Sequence, residues 1–295
     1  MRIDAGAGWS PSRGASSGWR HLARDVRLPR IIGHRGVAAR APENTLAGFR
    51  KAAELGLEWV EFDVRLTADG RPVVIHDAAL DRTTDGRGPV AEASFDAVRA
   101  LDAGSWFAPD YVDERVPSLE EAIALVAGLG LGACVEIKPD PRRREEAGRT
   151  VMVVLGRCWP RGRPRPLVSS FDPTTLAAAR GVAPSWPIAF LMRRPMPRWR
   201  AKAKALRCLA VHCRHDGLTR RSVRRLKAAG LPLAVYAVNE PARARVLLEW
   251  GVDSIITDAP EAMLEAFARG AAGTPAPAAS PGCRRRPGKR GFRRG

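Results

Sequence analysis

A (β/α)₈ barrel (TIM barrel), an α/β fold, is the architecture that the sequence predicts. The chain has 295 residues, of which 45% are apolar, and a single barrel domain typically needs about 250 residues. Short apolar runs alternate with helix-like segments, the pattern of a parallel sheet with helical crossovers. Polar residues gather at the ends of several runs, and the active sites of such barrels lie at the carboxyl ends of their strands.

Apolar, β-branched runs are the candidate strands. They lie near 31–33, 58–64, 72–75, 132–137, 166–170, 187–191, 208–212, 232–238 and 254–257. The turn "ADGR" between the second and third runs is too short for a parallel crossover, so we expect an antiparallel hairpin there. Without the third run, eight strands remain for the barrel.

Helix-like segments separate the other runs. Examples are "TLAGFRKAAELG", "SLEEAIALVAGLG", "TRRSVRRLKAAG" and "PARARVLLEWG", each closed by the glycine that commonly follows a helix. An open, doubly wound sheet would use the same elements. The barrel is favoured because polar motifs end the first, second, third, fourth and seventh strands: "GHRG", "EFD", "EIK", "SSF" and "YAVNE".

One folded domain is expected over residues 30–269. The N-terminal segment 1–29 is expected to be flexible. Residues 270–295 begin as an Ala/Pro/Gly linker and end in basic residues without an acidic partner, so they cannot build a core. We expect them to form a disordered basic tail.

The formal net charge is +18, mostly from arginine. No recognition motif accompanies this charge, so we expect a solvated basic surface and no specific nucleic-acid partner. Weak electrostatic association of the tail with anionic membranes is a further expectation. The five cysteines lack paired spacing, which argues against zinc and disulfides. Without an apolar signal-peptide core or a stretch of roughly 20 apolar residues, the protein is expected to be soluble and cytoplasmic.

Carboxylates on two strands form a candidate metal site. Glu61 and Asp63 are two residues apart on one strand, so both side chains project from the same face. Two such charges would repel each other unless a cation lies between them. Glu136 at the end of the next barrel strand offers a third oxygen ligand. Oxygen ligands without clustered cysteine or histidine favour one hard divalent cation, Mg²⁺ or Ca²⁺.

Cationic and titratable side chains occur at the same rim. Lys138 shares the face of Glu136, and Arg35 follows the first strand, so both are suited to an anionic group that also contacts the metal. A phosphate meets these requirements. His34 and His76 follow two different strands and exchange protons near neutral pH, as phosphodiester cleavage requires for the attacking and leaving oxygens.

The ordered motifs "GHRG", "APENT", "EFDV", "VVIHD", "VEIKP", "SSF" and "ITDAP" resemble those of the glycerophosphodiester phosphodiesterase family, over about residues 30–268. The resemblance implies a metal-dependent barrel enzyme that hydrolyses deacylated phospholipids to an alcohol and sn-glycerol 3-phosphate. It implies metal binding by Glu61, Asp63 and Glu136, acid and base roles for His34 and His76, and phosphate binding by Arg35 and Lys138. Residues 78–116 correspond to a small insertion on the rim, which would act as a lid.

Further residues are expected to support the site. Phe171 and Tyr236 would form apolar walls around the glycerol, although Tyr236 stands where the family more often has Trp. Glu43 would orient Arg35, and Asn44 or Thr45 would cap the following helix. Asp77 and Asp258 are interpreted as turn, rim or cap residues, and His212 and His215 as structural histidines. A phospholipase acting on lyso- or intact phospholipids is the alternative function, and the oligomeric state stays open.

Overall fold

Parallel β-strands close into a barrel within residues 27–272, the part of the chain that the computed structural model describes. The strands of this region are β1 (Ile31–Gly33), β2 (Trp59–Leu66), β3 (Pro72–Val74), β4 (Gly132–Ile137), β5 (Leu167–Ser170), β6 (Ile188–Met192), β7 (Ala210–Arg214), β8 (Leu233–Tyr236) and β9 (Ser254–Thr257). All of them except β3 pair in parallel. The predicted (β/α)₈ barrel is confirmed.

The ring closes between the first and last strands of the chain. The strand order is β1-β9-β8-β7-β6-β5-β4-β2-β3, and β1 also pairs with β2. Gly33 lies opposite Val60 on one side and Thr257 on the other. β3 pairs antiparallel with β2, as the short turn predicts. Closure leaves no open edge among the eight parallel strands of the described region.

Helices connect successive strands on the outside of the ring. Within the described residues they are α1 (Leu46–Glu54), α2 (Phe95–Arg99), α3 (Leu119–Gly128), α4 (Arg144–Cys158), α5 (Pro173–Val182), α6 (Trp199–Ala205), α7 (Arg220–Lys227), α8 (Pro241–Glu249) and α9 (Pro260–Ala272). Several begin at a side-chain cap. The hydroxyl of Thr45 accepts from the Gly48 amide, and Ser118 and Glu121 form a reciprocal capping box.

Alternation along the strands divides the apolar residues into two layers. One set packs outward against the helices and forms the largest core cluster. The other set fills the bottom of the barrel with Ile32, Cys134, Leu167, Ala189, Ala210, Ala234 and Ile256. Because side chains on one face recur every second residue, the inward positions above this layer lead to the carboxyl ends of the strands. The candidate site residues lie there.

The segment between β3 and α3 lies outside the repeating strand–helix pattern of the barrel. It contains α2 and two short 3₁₀ helices at Val90–Glu92 and Pro109–Tyr111, and its residues Leu80, Phe95 and Val98 belong to a small apolar cluster. Residues 78–116 form this segment, the insertion. This cluster also contains Val73 of β3 and Ile75, so it packs the insertion on β3, apart from the largest core cluster.

The ends of the chain fall largely outside the described residues. Most of the segment 1–29 and most of the tail 270–295 lie there, so their predicted flexibility and disorder stay predictions. The last helix, α9, runs to Ala272 and therefore includes the first residues of the predicted tail. Among helices of the described region, none combines the length and the apolar character that a membrane crossing requires.

Candidate active site

The turn after β1 places two functional side chains at the mouth of the barrel. The His34 amide donates to the Thr257 carbonyl at 2.8 Å, which ties the turn to β9. Arg35 then adopts a left-handed backbone conformation, with φ of 50°. A Cβ atom at Gly33 would lie 2.0 Å from the Gly36 carbonyl oxygen, so this sharp turn requires a glycine there. The Arg35 amide donates to Oε2 of Glu61 at 3.1 Å.

Three carboxylates converge beside this turn. Glu61 and Asp63 lie on β2, and Asp63 is paired in register with Glu136 on β4. One oxygen from each of the three groups lies within 4.8 Å of the others. Their side chains are buried, with exposures of 6%, 1% and 11%. The predicted metal ligands are therefore brought together.

The charges of these carboxylates respond strongly to their surroundings. Burial and the charge of Asp63 raise the pKa of Glu61 to about 8 and that of Glu136 to about 7. Burial also opposes ionisation of Asp63, but the Lys138 and Arg35 charges outweigh it and hold its pKa at about 2. Such crowding of buried carboxylates is what a bound cation relieves, and the all-oxygen donor set fits Mg²⁺ or Ca²⁺.

Two basic side chains flank the carboxylates. The Lys138 ammonium lies 3.0 Å from Glu136 and 3.5 Å from Asp63. Nε of Arg35 lies 3.4 Å from Asp63, while its Nη1 donates to Glu43 at 2.7 Å. Both basic groups are mostly buried, with side-chain exposures of 15% and 16%. They are placed to contact an anion at the mouth of the barrel.

Each candidate histidine has a carboxylate on its Nδ1 atom. Nδ1 of His34 lies 2.6 Å from Asp258, and Nδ1 of His76 lies 2.5 Å from Asp77. Burial lowers the pKa of His34, but its hydrogen bond to Asp258 and the Glu61 charge outweigh this effect and raise it. For His76 burial prevails and lowers the pKa. In both rings Nε2 is the nitrogen left for a substrate.

A hydrogen-bonded chain links His76 to the insertion. Nε of Arg82 donates to Asp77 at 2.6 Å, and its two terminal nitrogens donate to Glu43 at 2.7 and 2.8 Å. Glu43 also accepts from Arg35. Glu43 therefore orients Arg35. Arg82 of the insertion connects the loop that carries Arg35 and Glu43 with the loop that carries His76 and Asp77.

Asn44 supports Asp63 rather than a helix. Its Nδ2 donates to the Asp63 carboxylate at 2.9 Å, and its Oδ1 accepts from the Asp63 amide at 3.1 Å. Of the two candidates for the cap of α1, Thr45 is the one that caps it. Asn44 holds φ of 59°, a left-handed conformation that asparagine tolerates better than most residues.

An aromatic pair borders the other side of the mouth. The rings of Phe171 and Tyr236 have centroids 6.2 Å apart and planes at 81°. The Tyr236 hydroxyl donates to the Met192 carbonyl at 2.9 Å, which fixes the ring. The exposed fraction of Phe171 is 37%, so its ring faces the mouth without being covered. This pair can form an apolar wall for a small polyol.

Comparison with known proteins identifies the family of this chain. The family model described as "Glycerophosphoryl diester phosphodiesterase family" matches residues 34–262. The chain belongs to this family. The family resemblance of the ordered motifs is thereby confirmed.

Members of this phosphodiesterase family resemble the chain over most of their length. The Bacillus subtilis protein YhdW is 35% identical over 244 residues, which cover 80% of this chain and 96% of that protein. A glycerophosphodiester phosphodiesterase of Caldanaerobacter subterraneus is 31% identical over 244 residues, covering 81% and 98%. A solved Oleispira antarctica phosphodiesterase in complex with the product sn-glycerol-3-phosphate is 34% identical, with a TM-score of 0.79 and coverage of 82% and 97%.

The sequence did not reveal which carboxylates contact His34 and His76. Asp77 and Asp258, interpreted from sequence as turn, rim or cap residues, instead contact His76 and His34. Asn239 donates to Asp258 at 2.7 Å and holds it in place. The adjacency in "VIHD" was a usable signal for Asp77. Nothing in the sequence around Asp258 pairs it with a residue at the other end of the chain.

His212 differs from the hydrogen-bonded structural histidine that the sequence suggested. It is 1% exposed, and its Nε2 atom has no hydrogen-bond partner among the described residues. Burial lowers its pKa to about 4, so the ring is neutral near pH 7. Together with Glu61, Glu136 and Ser169, it lines a small cavity of about 20 Å³. That space holds about one water, which would supply the missing partner.

Proposed function

We propose that this protein hydrolyses glycerophosphodiesters to an alcohol and sn-glycerol 3-phosphate, using one divalent cation held by Glu61, Asp63 and Glu136. The observation that carries the proposal is the convergence of these carboxylates with two basic groups and two carboxylate-paired histidines at one barrel mouth. The Oleispira antarctica neighbour, described with the product sn-glycerol-3-phosphate, supports this choice of substrate.

Arg35 and Lys138 would bind the phosphate. Both side chains are largely shielded from water, so their attraction for an anion is screened less than at an open surface. A bound Mg²⁺ or Ca²⁺ would polarise a phosphoryl oxygen and stabilise the charge that develops on it. Arg35 is held by Glu43 and Asp63, so its guanidinium is oriented before the substrate arrives.

His34 and His76 would move protons through their Nε2 atoms. One removes a proton from the attacking hydroxyl of water or of the substrate's glycerol, and the other gives a proton to the departing alcohol oxygen. The carboxylates of Asp258 and Asp77 fix the orientation of each ring at Nδ1 and stabilise its protonated form. Phe171 and Tyr236 would contact the carbon atoms of the glycerol.

Release of sn-glycerol 3-phosphate tests the proposal directly. Glycerophosphocholine, glycerophosphoethanolamine and lysophosphatidylcholine would each be incubated with the protein in EDTA, Mg²⁺ or Ca²⁺. We expect cation-dependent release from the two deacylated diesters. Cleavage of the lyso-lipid would be followed as release of choline, because its other product is lysophosphatidic acid and not sn-glycerol 3-phosphate. Cleavage of the lyso-lipid alone would support the phospholipase instead, and no cleavage of any of the three would contradict the proposed substrate class. The cytoplasmic location stays a prediction.

A further inference from the structure

Two arginines occupy inward positions at the barrel mouth, beyond the residues used above. On β7, Ala210 lies in the bottom layer and His212 lines the cavity, so the next inward position is Arg214. On β6 the same alternation runs from Ala189 through Leu191 to Arg193. The same two-residue step leads from Glu136 to Lys138 and from Ser169 to Phe171.

The surroundings of Tyr236 place both arginines beside the aromatic wall. Arg214 is paired in register with Tyr236, and Arg193 directly follows Met192, whose carbonyl accepts from the Tyr236 hydroxyl. Burial raises the pKa of that hydroxyl, and the charges of both arginines act in the opposite direction. The strand register and the position of Arg193 next to Met192 therefore place both arginines beside the residue that borders the site.

Both guanidinium groups are available to a ligand. Arg193 is exposed and has no hydrogen bond or ion pair within the described part of the chain. Arg214 forms an ion pair with Asp216, which also lies 3.0 Å from His215. The side chains of Arg214 and Asp216 are 57% and 48% exposed, and such open ion pairs are weak enough to be exchanged.

We propose that Arg193 and Arg214 bind a second anionic group of the substrate, a phosphate carried on the arm that passes the Phe171–Tyr236 pair. This inference rests on the proposed function, since it assumes that the first phosphate lies between Arg35 and Lys138. Guanidinium groups match the geometry of phosphate oxygens and form charge-assisted hydrogen bonds with them. The preferred substrates are then glycerophosphodiesters whose glycerol arm carries a further phosphate group, rather than those whose glycerol arm is uncharged.

Paired substrates test this inference. Glycerophosphoglycerol has one phosphodiester, and bis(glycerophospho)glycerol repeats the same unit with a second one. We expect kcat/KM to favour the longer compound by roughly tenfold or more, because charge-assisted hydrogen bonds are among the stronger ones. The Arg193→Gln variant should lower this preference, and the double variant Arg193→Gln/Arg214→Gln should nearly remove it. Arg194→Gln, an exposed neighbour, is the matched control and should keep it.

The outcomes separate this inference from the proposed function. Arg193→Gln leaves no acidic partner behind, so its effect is easier to interpret than that of Arg214→Gln, which exposes the Asp216 charge. Hydrolysis of both compounds with an unchanged preference in the double variant would overturn the second phosphate site and leave the proposed function intact. If neither compound is hydrolysed, calorimetric binding of bis(glycerophospho)glycerol decides the matter. Equal binding by wild type and double variant would then overturn the inference.

Discussion

The Nδ1 atom of His34 lies 2.6 Å from Oδ1 of Asp258, although 224 positions separate the two residues in the chain. The contact exists because β1 pairs with β9 where the barrel closes. Asn239 holds the other oxygen of Asp258 at 2.7 Å. With Nδ1 occupied, Nε2 of His34 faces Glu61 at 3.8 Å. Ring closure therefore orients His34, a proposed acid or base, toward the candidate metal site.

Asp258→Asn should lower kcat by about two orders of magnitude, because an amide cannot stabilise a protonated His34 and can favour the wrong tautomer. The measurement is steady-state hydrolysis of glycerophosphocholine across a range of pH, with circular dichroism to check the fold. Asp110→Asn, at an exposed position of the insertion, is the control. A kcat near wild type for Asp258→Asn would show that this contact does not orient a catalytic group.

His34→Ala and His76→Ala should each reduce kcat by about 10²- to 10⁴-fold, the usual contribution of a general acid or base. A substrate with a nitrophenol leaving group distinguishes the two roles, because such a group departs without a proton. The variant that lacks the acid should recover activity on this substrate, while the other should not. His215→Ala is the control. Recovery in both variants or in neither would contradict the division into acid and base.

Addition of Mg²⁺ or Ca²⁺ should raise the Tm of the protein. A ligand at a concentration of 100 times its Kd stabilises the folded state by about 2.7 kcal/mol, which is several degrees for a domain of this size. Glu61→Gln and Glu136→Gln should abolish both this shift and turnover, while the exposed Glu249→Gln should retain both. An undiminished Tm shift in the two site variants would place the cation elsewhere.

Tyr236→Trp should change the ranking of head groups by kcat/KM, because the larger ring alters the wall that faces Phe171. Tyr236→Phe separates ring shape from the hydroxyl. It loses only the hydrogen bond to the Met192 carbonyl, with a cost of about 1 kcal/mol in unfolding free energy. Its ranking should match wild type. The same ranking in all three proteins would exclude Tyr236 from specificity.

Local sequence patterns predicted the barrel well because its repeating units are themselves local. The runs 31–33, 132–137 and 254–257 coincide with β1, β4 and β9. The carboxylate cluster was also accessible, since Glu61 and Asp63 share a strand face and parallel strands bring their carboxyl ends to one rim. These inferences needed only the periodicity of strands and the order of elements.

Contacts that depend on ring closure or on loop conformation could not be predicted from the sequence. The pairing of Asp258 with His34 depends on how the first and last strands meet. The choice of Asn44 as a partner for Asp63, with Thr45 as the cap, depends on the left-handed backbone at Asn44. The contacts of Arg82 depend on how the insertion folds back over the rim. None of these leaves a periodic pattern in the sequence.

Arg82 couples the carboxylates beside His76 and Arg35 to the insertion. The insertion packs on a small apolar cluster that it shares with Val73 and Ile75, so its local unfolding exposes less surface than unfolding of the barrel and requires less free energy. Opening withdraws Arg82 from Asp77 and Glu43, so the carboxylates that contact His76 and Arg35 lose a partner that they share. As temperature or denaturant rises, inactivation should therefore precede the loss of secondary structure, and between the two transitions the protein would be folded but inactive.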